Sequence, residues 1–195
     1  GFSLGAFVAL TTAPRLGSQV ASLDLVSAAA PLELGDFLPR MAGRPVFDMA
    51  RRSPLGFRAM TRVQAALAAH APAKLFGMLF ATAAGGDRAL AGEQGFRDEV
   101  GAVLRTALGP GRRGYRRDVS AYVRPWAETL AEVRAPAWLW HGRDDNWAPP
   151  AMAVALEHAL PEVRRLEIAP GLSHYSCLFE AMPQVLARIG GDLSD

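Results

Sequence analysis

The apolar residues at the start of the chain change from a helical pattern to a strand pattern. Residues 5–12 are small or apolar and precede Pro14, which predicts a short buried helix that ends before the proline. Residues 23–30 form a short, mostly apolar run before Pro31, and this length is typical of a buried strand. The sequence therefore predicts one helix followed by one strand.

The next part of the chain, residues 36–125, has a helical pattern throughout. Apolar side chains recur there at spacings of three and four residues, and clusters of Gly, Pro and Arg separate the stretches. This pattern predicts several helices joined by turns, inserted after the first strand. The two clearest series are Phe57, Met60, Val63 and Leu67, and Phe96, Val100, Val103 and Leu104.

From residue 126 onwards, helical and strand patterns alternate. Such alternation is typical of a mostly parallel sheet with crossover helices, so the predicted fold class is α/β. In this interpretation residues 1–35 and 126–195 belong to a core domain, and residues 36–125 form a helical insertion in it. The predicted helices are 127–133, 150–160 and 176–189, and the predicted strands are 137–140 and 163–168.

The composition is that of one globular domain of ordinary size. Half of the 195 residues are hydrophobic, 21% are charged, and the formal net charge is +2. This balance gives no argument for a nucleic-acid partner, and the arginine pairs fit a solvated surface, with an anionic-ligand site as the alternative. The pairs are Arg51-Arg52, Arg112-Arg113, Arg116-Arg117 and Arg164-Arg165.

Two further features concern the cellular compartment. The chain contains no run of about 18 apolar residues, so no membrane span is expected. Cys177 is the only cysteine and cannot form an internal disulfide, so nothing in the sequence requires an oxidising compartment. We therefore expect a cytoplasmic protein.

The first five residues carry the first candidate chemistry, because Gly1-Phe2-Ser3-Leu4-Gly5 matches the pattern G-x-S-x-G. A serine hydroxyl is a weak nucleophile, and a sharp strand-to-helix turn presents it to both a base and a carbonyl carbon. Such a turn is so crowded that the positions two before and two after the serine must be small, as Gly1 and Gly5 are. The N–H of Leu4 is then placed to donate to an oxyanion.

An acid and a histidine follow later in the chain, each directly after a predicted strand. In residues 138–149 an apolar strand leads into the pattern G-x-x-D-x-x-x-P, whose acid is Asp145. His174 lies in the loop after the next predicted strand. Because the carboxyl ends of parallel strands meet at one edge of a sheet, we expect these side chains to lie there together.

With these motifs in the order Ser, Asp, His, the chain resembles the α/β-hydrolase superfamily, and in particular its capped serine hydrolases, over residues 1–189. Residues 122–126 and 134–142 also resemble the segment that returns from the cap to the sheet in capped members. The resemblance implies a partial α/β-hydrolase fold that lacks the first strands, with residues 36–125 as a helical cap.

The resemblance also assigns roles to residues. It implies Ser3 as the nucleophile, His174 as the base and Asp145 as the acid that orients the base. Asp144 is the rival acid. Glu33, just after the first strand, is a third candidate, because a few family members draw their acid from that place.

The activity that the resemblance implies is that of a serine hydrolase, which cleaves a small or medium apolar ester through an acyl-enzyme. Cofactor-free haloperoxidases, perhydrolases and acyltransferases use the same triad, and a non-catalytic receptor or scaffold of this fold is an alternative of another class. No cofactor is implied, and no His, Cys, Asp or Glu cluster has metal-ligand spacing. The expected partner is a small-molecule substrate, and the sequence leaves the oligomeric state open.

Five other residues have structural or marginal roles in this interpretation. His141 is expected to make a structural contact beneath the site, and Cys177 to pack in the core at the start of the last helix. Trp147 lies on the acid loop, where it can line the mouth of a pocket. His70 and His158 lie in helical stretches and are expected at the surface.

We expect the sequence to be the C-terminal part of a longer enzyme, because it opens on a motif that lies between a strand and a helix. In the family, the earlier strands and the loop with the second oxyanion donor precede this motif. A chain without that donor is expected to be nearly inactive, since loss of one donor costs about 10²- to 10³-fold in kcat. Any targeting segment would also lie upstream.

Overall fold

Three parallel strands form a sheet in the order β1-β2-β3, in a computed structural model that describes residues 1–192. The strands are β1 (Leu23–Val26), β2 (Ala137–Gly142) and β3 (Val163–Ala169). Phe2 adds an isolated parallel bridge to Val26, so the residues before the first helix extend the sheet beyond β1. The predicted α/β class with a parallel sheet is confirmed.

Nine α-helices accompany the sheet among these residues. Six of them, α2 to α7, lie between β1 and β2 in the chain, and we call residues 36–125 the helical insertion. The helices are α1 (Leu4–Leu16), α2 (Arg44–Arg52), α3 (Pro54–His70), α4 (Pro72–Leu79), α5 (Asp87–Leu90), α6 (Gln94–Leu108), α7 (Arg112–Tyr122), α8 (Ala151–Ala159) and α9 (His174–Asp192).

The first helix and the first strand differ in length from the prediction. Helix α1 includes Pro14 and continues two residues past it, and Gly17, with a φ of 55°, then ends it. Strand β1 stops at Val26 instead of continuing to residue 30, because Ser27 has a φ of 45° and turns the chain out of the sheet.

Two later elements also differ from the prediction. The segment predicted as a helix over 127–133 is a 3-10 helix, Ala127–Glu132, in which Val133 N–H bonds to Leu130 three residues back. Helix α9 begins at His174 and not at residue 176, so the histidine predicted in a loop is the first residue of a helix. A carboxylate from the helical insertion stabilises this earlier start, as described below.

The sheet is covered on both faces. Leu25 and Leu139 lie in the main core with helices α1 and α8, while Val26 and Trp140, which alternate with them along the strands, pack against α9. This arrangement places the start of α1 and the start of α9 near the carboxyl ends of the strands.

The apolar series predicted in the insertion is only partly buried. Phe57, Phe96 and Val100 are buried, whereas Val63 and Val103 are 60% and 65% exposed. Val63 lies six residues after Phe57, which at 3.6 residues per turn rotates it far from the buried side of α3.

Candidate active site

Ser3 lies on the turn between a short extended segment and helix α1. On the extended side, the Val26 N–H donates to the Gly1 carbonyl (2.9 Å) and the Ser3 N–H donates to the Val26 carbonyl (3.1 Å). Helix α1 begins at the next residue, Leu4. Ser3 has a φ of 55° and a ψ of −126°, a conformation that residues other than glycine rarely adopt. Such a conformation costs about 1–3 kcal/mol, so the turn holds the serine under strain.

The two glycines around Ser3 differ in how much space they have. A Cβ on Gly1 would lie 2.8 Å from the Cα of Ala6 and 3.0 Å from the carbonyl oxygen of Gly5, so α1 leaves no room for a side chain there. A Cβ on Gly5 would meet no atom within 4 Å, and the crowding predicted at this position is absent among the described residues. The Leu4 N–H donates to none of the described residues and is available to an external acceptor.

Asp145 and His174 form a buried hydrogen bond beyond the ends of β2 and β3. His174 Nδ1 lies 2.8 Å from Asp145 Oδ2, and the two side chains are 3% and 0% exposed, respectively. The parallel pairing of β2 with β3 brings the two loops to the same edge of the sheet. Because an ionised carboxylate only accepts hydrogen bonds, this contact fixes a proton on Nδ1 and leaves Nε2 free to act as a base.

The surroundings of Asp145 keep it ionised. Its other oxygen, Oδ1, accepts the backbone N–H groups of Trp147 (2.8 Å) and Ala148 (2.9 Å). Burial alone would raise the pKa of the Asp145 carboxyl, but the hydrogen bond and electrostatic attraction of His174, together with those of His141 and the Ala148 N–H, outweigh burial and lower the pKa.

His141 supports the loop that carries Asp145. Its Nε2 donates to the Ala148 carbonyl at 2.7 Å and lies 3.6 Å from Asp145 Oδ2, and the residue is 1% exposed. Burial lowers the pKa of His141, against the opposing effects of Asp145 and the Ala148 carbonyl. The imidazole is therefore neutral. Its hydrogen bond to the Ala148 carbonyl is a structural contact beneath the site, of the kind that the sequence predicted.

The two alternative acids, Asp144 and Glu33, lie in other surroundings. Asp144 is exposed, and its backbone N–H donates to the Leu172 carbonyl. Glu33 accepts the N–H groups of Trp126 (2.6 Å) and Ala127 (2.7 Å) and so caps the 3-10 helix. Neither carboxylate bonds to a histidine among the described residues, and the acid that meets His174 is Asp145.

Ser3 and His174 lie on either side of the end of β1. The ring of Phe2, next to Ser3, lies 4.7 Å from the imidazole of His174 between ring centres. Ser27 follows the last residue of β1, and its hydroxyl donates to the His174 carbonyl at 3.2 Å. No hydrogen bond joins the Ser3 hydroxyl to the imidazole among the described residues, which is common in active sites without substrate.

Aromatic rings cover His174 on the side of the helical insertion. Trp147 stacks on the imidazole at 5.8 Å with an interplanar angle of 22°, and Tyr175 meets it edge-on at 5.4 Å. Phe80, between α4 and α5, packs at 5.7 Å from Trp147 and 5.5 Å from Tyr175. The site is therefore bordered by apolar surface contributed by both parts of the chain.

Asp87, in the helical insertion, belongs to this site and was missed by the sequence analysis. Its side chain is fully buried and accepts the N–H groups of Tyr175 (3.1 Å) and Ser176 (2.7 Å) and the Ser176 hydroxyl (2.8 Å). These N–H groups belong to the first turn of α9, where no partner exists within the helix. The insertion thus caps the helix that begins with His174. A single acid so far from its partner in sequence leaves no periodic pattern that could have revealed it.

Gly142, the last residue of β2, lets the acid and histidine loops approach each other. A Cβ at this position would lie 2.4 Å from the carbonyl oxygen of Leu172 and 2.6 Å from that of Ser173. Because both obstacles are backbone atoms, any side chain here would displace the residues that precede His174.

The side chains of the remaining candidate residues form no hydrogen bond with Ser3, Asp145 or His174 among the described residues. Cys177 packs in the core against Val26 and Trp140, and burial raises the pKa of its thiol to about 11. His70 and His158 are exposed. Within residues 1–192, no group of three or more His, Cys, Asp or Glu side chains is placed to hold a metal ion. None of the helices in this range is both long enough and apolar enough to cross a membrane.

Several solved structures of α/β-hydrolases are similar to this chain. An α/β-hydrolase enzyme from a Medee basin deep-sea metagenome library aligns with a TM-score of 0.66 at 16% identity, over 100% of this chain and 64% of that one. A thermophilic esterase from Thermogutta terrifontis aligns at 0.59 and 17% identity, over 98% and 63%. The 2-hydroxy-6-oxo-6-phenylhexa-2,4-dienoate hydrolase from Rhodococcus sp. strain RHA1 aligns at 0.58 and 16% identity, over 96% and 61%.

In sequence, no protein-family model and no curated protein matches the chain. The chain spans slightly less than two thirds of the length of each of these three structures.

Proposed function

We propose that this chain, which has the α/β-hydrolase fold, contributes the catalytic triad of a serine hydrolase, with Ser3 as nucleophile, His174 as base and Asp145 as acid. The strongest support is the buried hydrogen bond between Asp145 and His174 beside a serine in a strained turn. If His174 were buried only for packing, nothing would explain why Ser3 is held at a positive φ.

The proposed reaction proceeds through an acyl-enzyme. His174 Nε2 takes the proton of the Ser3 hydroxyl as the oxygen attacks the ester carbonyl carbon, and Asp145 stabilises the imidazolium that forms. The imidazolium then gives this proton to the leaving alkoxide, which departs as an alcohol and leaves the acyl group on Ser3. Water, deprotonated by the same Nε2, attacks the acyl carbon, the bond between this carbon and the Ser3 oxygen breaks, and the imidazolium returns the proton to Ser3 as the acid is released. The Leu4 N–H is proposed to stabilise the oxyanion in both halves of the reaction.

We propose a small or medium apolar ester as the substrate. The rings of Phe2, Trp147 and Tyr175 surround the base, and Phe80 of the helical insertion closes this aromatic wall. A site bordered by apolar rings favours an apolar acyl group over a polar polymer.

We also propose that the 195 residues on their own turn over slowly. Among the described residues, only the Leu4 N–H is assigned to the oxyanion, and a single missing donor costs about 10²- to 10³-fold in kcat. Covalent labelling of Ser3 is therefore a better first test than turnover, because it needs an activated hydroxyl but only one reaction event.

The test is the rate of labelling by a fluorophosphonate probe, followed by hydrolysis of short p-nitrophenyl esters. We expect the unmodified protein to be labelled at Ser3, Ser3→Ala to be unlabelled, and Asp145→Asn to react about 10³- to 10⁴-fold more slowly. Asp144→Asn is the matched control and should react like the unmodified protein, because its carboxylate is exposed. A folded protein that the probe does not label would exclude the hydrolase proposal and favour a ligand receptor or scaffold.

A further inference from the structure

The charges of this protein are divided unequally between its two parts. The helical insertion, residues 36–125, holds 15 of the 21 Lys and Arg residues but only 7 of the 19 Asp and Glu residues, so its formal charge is +8. The remaining residues have a formal charge of −6. The small net charge of +2 therefore conceals a strongly basic insertion attached to an acidic core.

Five of the seven acids of the insertion are exposed and are already counted in its formal charge of +8, and the other two have partners within the chain. Asp87 is buried against α9, and Asp48 is shared by Arg44 (3.2 Å) and Arg52 (4.0 Å). Helix α7 contains four arginines that form no ion pair with any residue the structure describes. These are Arg112, Arg113, Arg116 and Arg117.

Large apolar side chains are exposed on the same insertion. Leu55, Val63, Met78 and Val103 are 75%, 60%, 61% and 65% exposed. Elsewhere in the described part of the chain, only Leu186 on α9 reaches a similar exposure, at 61%. Single exposed apolar residues are ordinary, but here four of them accompany an excess of cations.

We propose that the helical insertion is a docking surface for an anionic lipid bilayer. Cationic side chains are attracted to anionic headgroups within about one Debye length, roughly 8 Å at physiological ionic strength. Exposed aliphatic side chains can then enter the boundary between headgroups and acyl chains, which adds apolar burial to the electrostatic attraction. The acidic core is repelled by the same headgroups, so the division of charge also orients the protein with its insertion towards the bilayer.

The exposed residue types favour a bilayer over a nucleic acid. A single-stranded nucleic acid is bound by cations together with aromatic rings on which its bases stack. The most exposed apolar residues of the insertion are Leu, Val and Met, while all six of its phenylalanines are buried and Tyr115 is half-buried. This proposal is independent of the hydrolase proposal, because none of its residues belongs to the triad.

The first test is co-sedimentation with phosphatidylcholine vesicles that contain or lack phosphatidylglycerol. We expect binding to the anionic vesicles only, weakened by added salt. Replacing two exposed arginines of α7, in Arg113→Gln/Arg117→Gln, should weaken binding about tenfold or more. The matched control is Arg164→Gln/Arg165→Gln, which removes the same charge from β3 of the core and should leave binding unchanged.

The second test concerns the aliphatic side chains. Val63→Ser/Val103→Ser should weaken binding to anionic vesicles, whereas Leu186→Ser, on α9, should not. The proposal is overturned if the protein does not bind anionic vesicles at low salt. It is also overturned if replacement of either arginine pair lowers the affinity for these vesicles equally. Tighter binding of single-stranded RNA than of anionic vesicles at the same salt concentration would overturn it in favour of a nucleic-acid surface.

Discussion

Single residues at the edge of the sheet are held in states that an unfolded chain in water would not favour. Ser3 has a positive φ, Asp145 is ionised although buried, and His141 is neutral in direct contact with it. Each state is stabilised by specific neighbours, so each can be tested by changing one side chain.

The neutral state of His141 predicts a pH dependence of stability. Burial lowers the folded pKa of His141 below its unfolded value of about 6.5, so below that pH the unfolded chain binds more protons and the free energy of unfolding falls. When the pH is lowered from about 7.5 to about 5.5, protonation of His141 in the unfolded chain should lower the free energy of unfolding by up to about 1.4 kcal/mol. The measurement is urea unfolding at both pH values.

His141→Gln is the informative variant for that experiment, because a glutamine amide can still donate to the Ala148 carbonyl but does not titrate. Its stability should change less between the two pH values than that of the unmodified protein. His158→Gln, at an exposed histidine, should keep the original dependence. An unchanged pH dependence in His141→Gln would show that another group causes it.

The crowding around Gly142 predicts that a single methyl group at this position will destabilise the protein. Gly142→Ala should lower both stability and Ser3 labelling, since the new Cβ would lie 2.4 Å from the Leu172 carbonyl and shift the chain before His174. The matched control is Gly77→Ala on α4, where a Cβ meets nothing within 4 Å. That change should stabilise the protein by up to about 1 kcal/mol, because alanine favours a helix. Thermal unfolding and probe labelling of both variants are the measurements.

At the scale of elements, the contact between α5 and α9 determines where the last helix begins. The Asp87 carboxylate binds the N–H groups of Tyr175 and Ser176, directly after His174. We expect that without these bonds the first turn of α9 would hold the His174 imidazole less firmly against Asp145. The helical insertion would then influence the proposed base through the first turn of α9.

Asp87→Asn tests this coupling, because an amide keeps the size of the carboxylate but loses its charge and one acceptor. We expect Ser3 labelling and kcat to fall about 10- to 100-fold with a smaller change in KM. The downfield NMR signal of the His174 Nδ1 proton should also broaden or shift. Asp98→Asn, at an exposed acid on α6, is the control and should change neither. Full labelling rates in folded Asp87→Asn would limit Asp87 to a stabilising role.

Helices and strands were predictable from the sequence where neighbouring residues alone determine them. Alternating strands and helices after residue 126 were predictable because periodicity is local. The end of β1 at Ser27 and the start of α9 at His174 were not, since a backbone angle and the distant Asp87 determine them. Likewise Pro14 was expected to end α1, but the helix includes it and ends at Gly17, whose positive φ the sequence alone did not reveal.

At the scale of the whole molecule, the resemblance to α/β-hydrolases is confirmed at the level of the fold. It was predictable because three short motifs occur in a fixed chain order and the parallel sheet brings the strand ends together. The choice of Asp145 over Asp144 followed from spacing, and the observed bond to His174 agrees with it. The catalytic roles stay predictions until Ser3 is labelled.

The sequence analysis did not predict the uneven distribution of charge, because it considered the net charge of +2 for the whole chain. The charge becomes informative only when residues 36–125 are counted separately from the rest. Three of the four arginine pairs, interpreted singly as solvated surface, then add to one basic unit, whereas Arg164-Arg165 lies on β3.

The bonds from Asp87 to the first turn of α9 also limit how this scaffold can be re-engineered. A protein engineer who exchanges the insertion for one from an α/β-hydrolase of different selectivity would also remove the support of His174, the proposed base. A successful chimera must therefore keep residues 85–88, or supply a carboxylate at the same point in space. Libraries that diversify α3, α4 and α6 while α5 stays fixed should yield far more active clones than whole-insertion exchange.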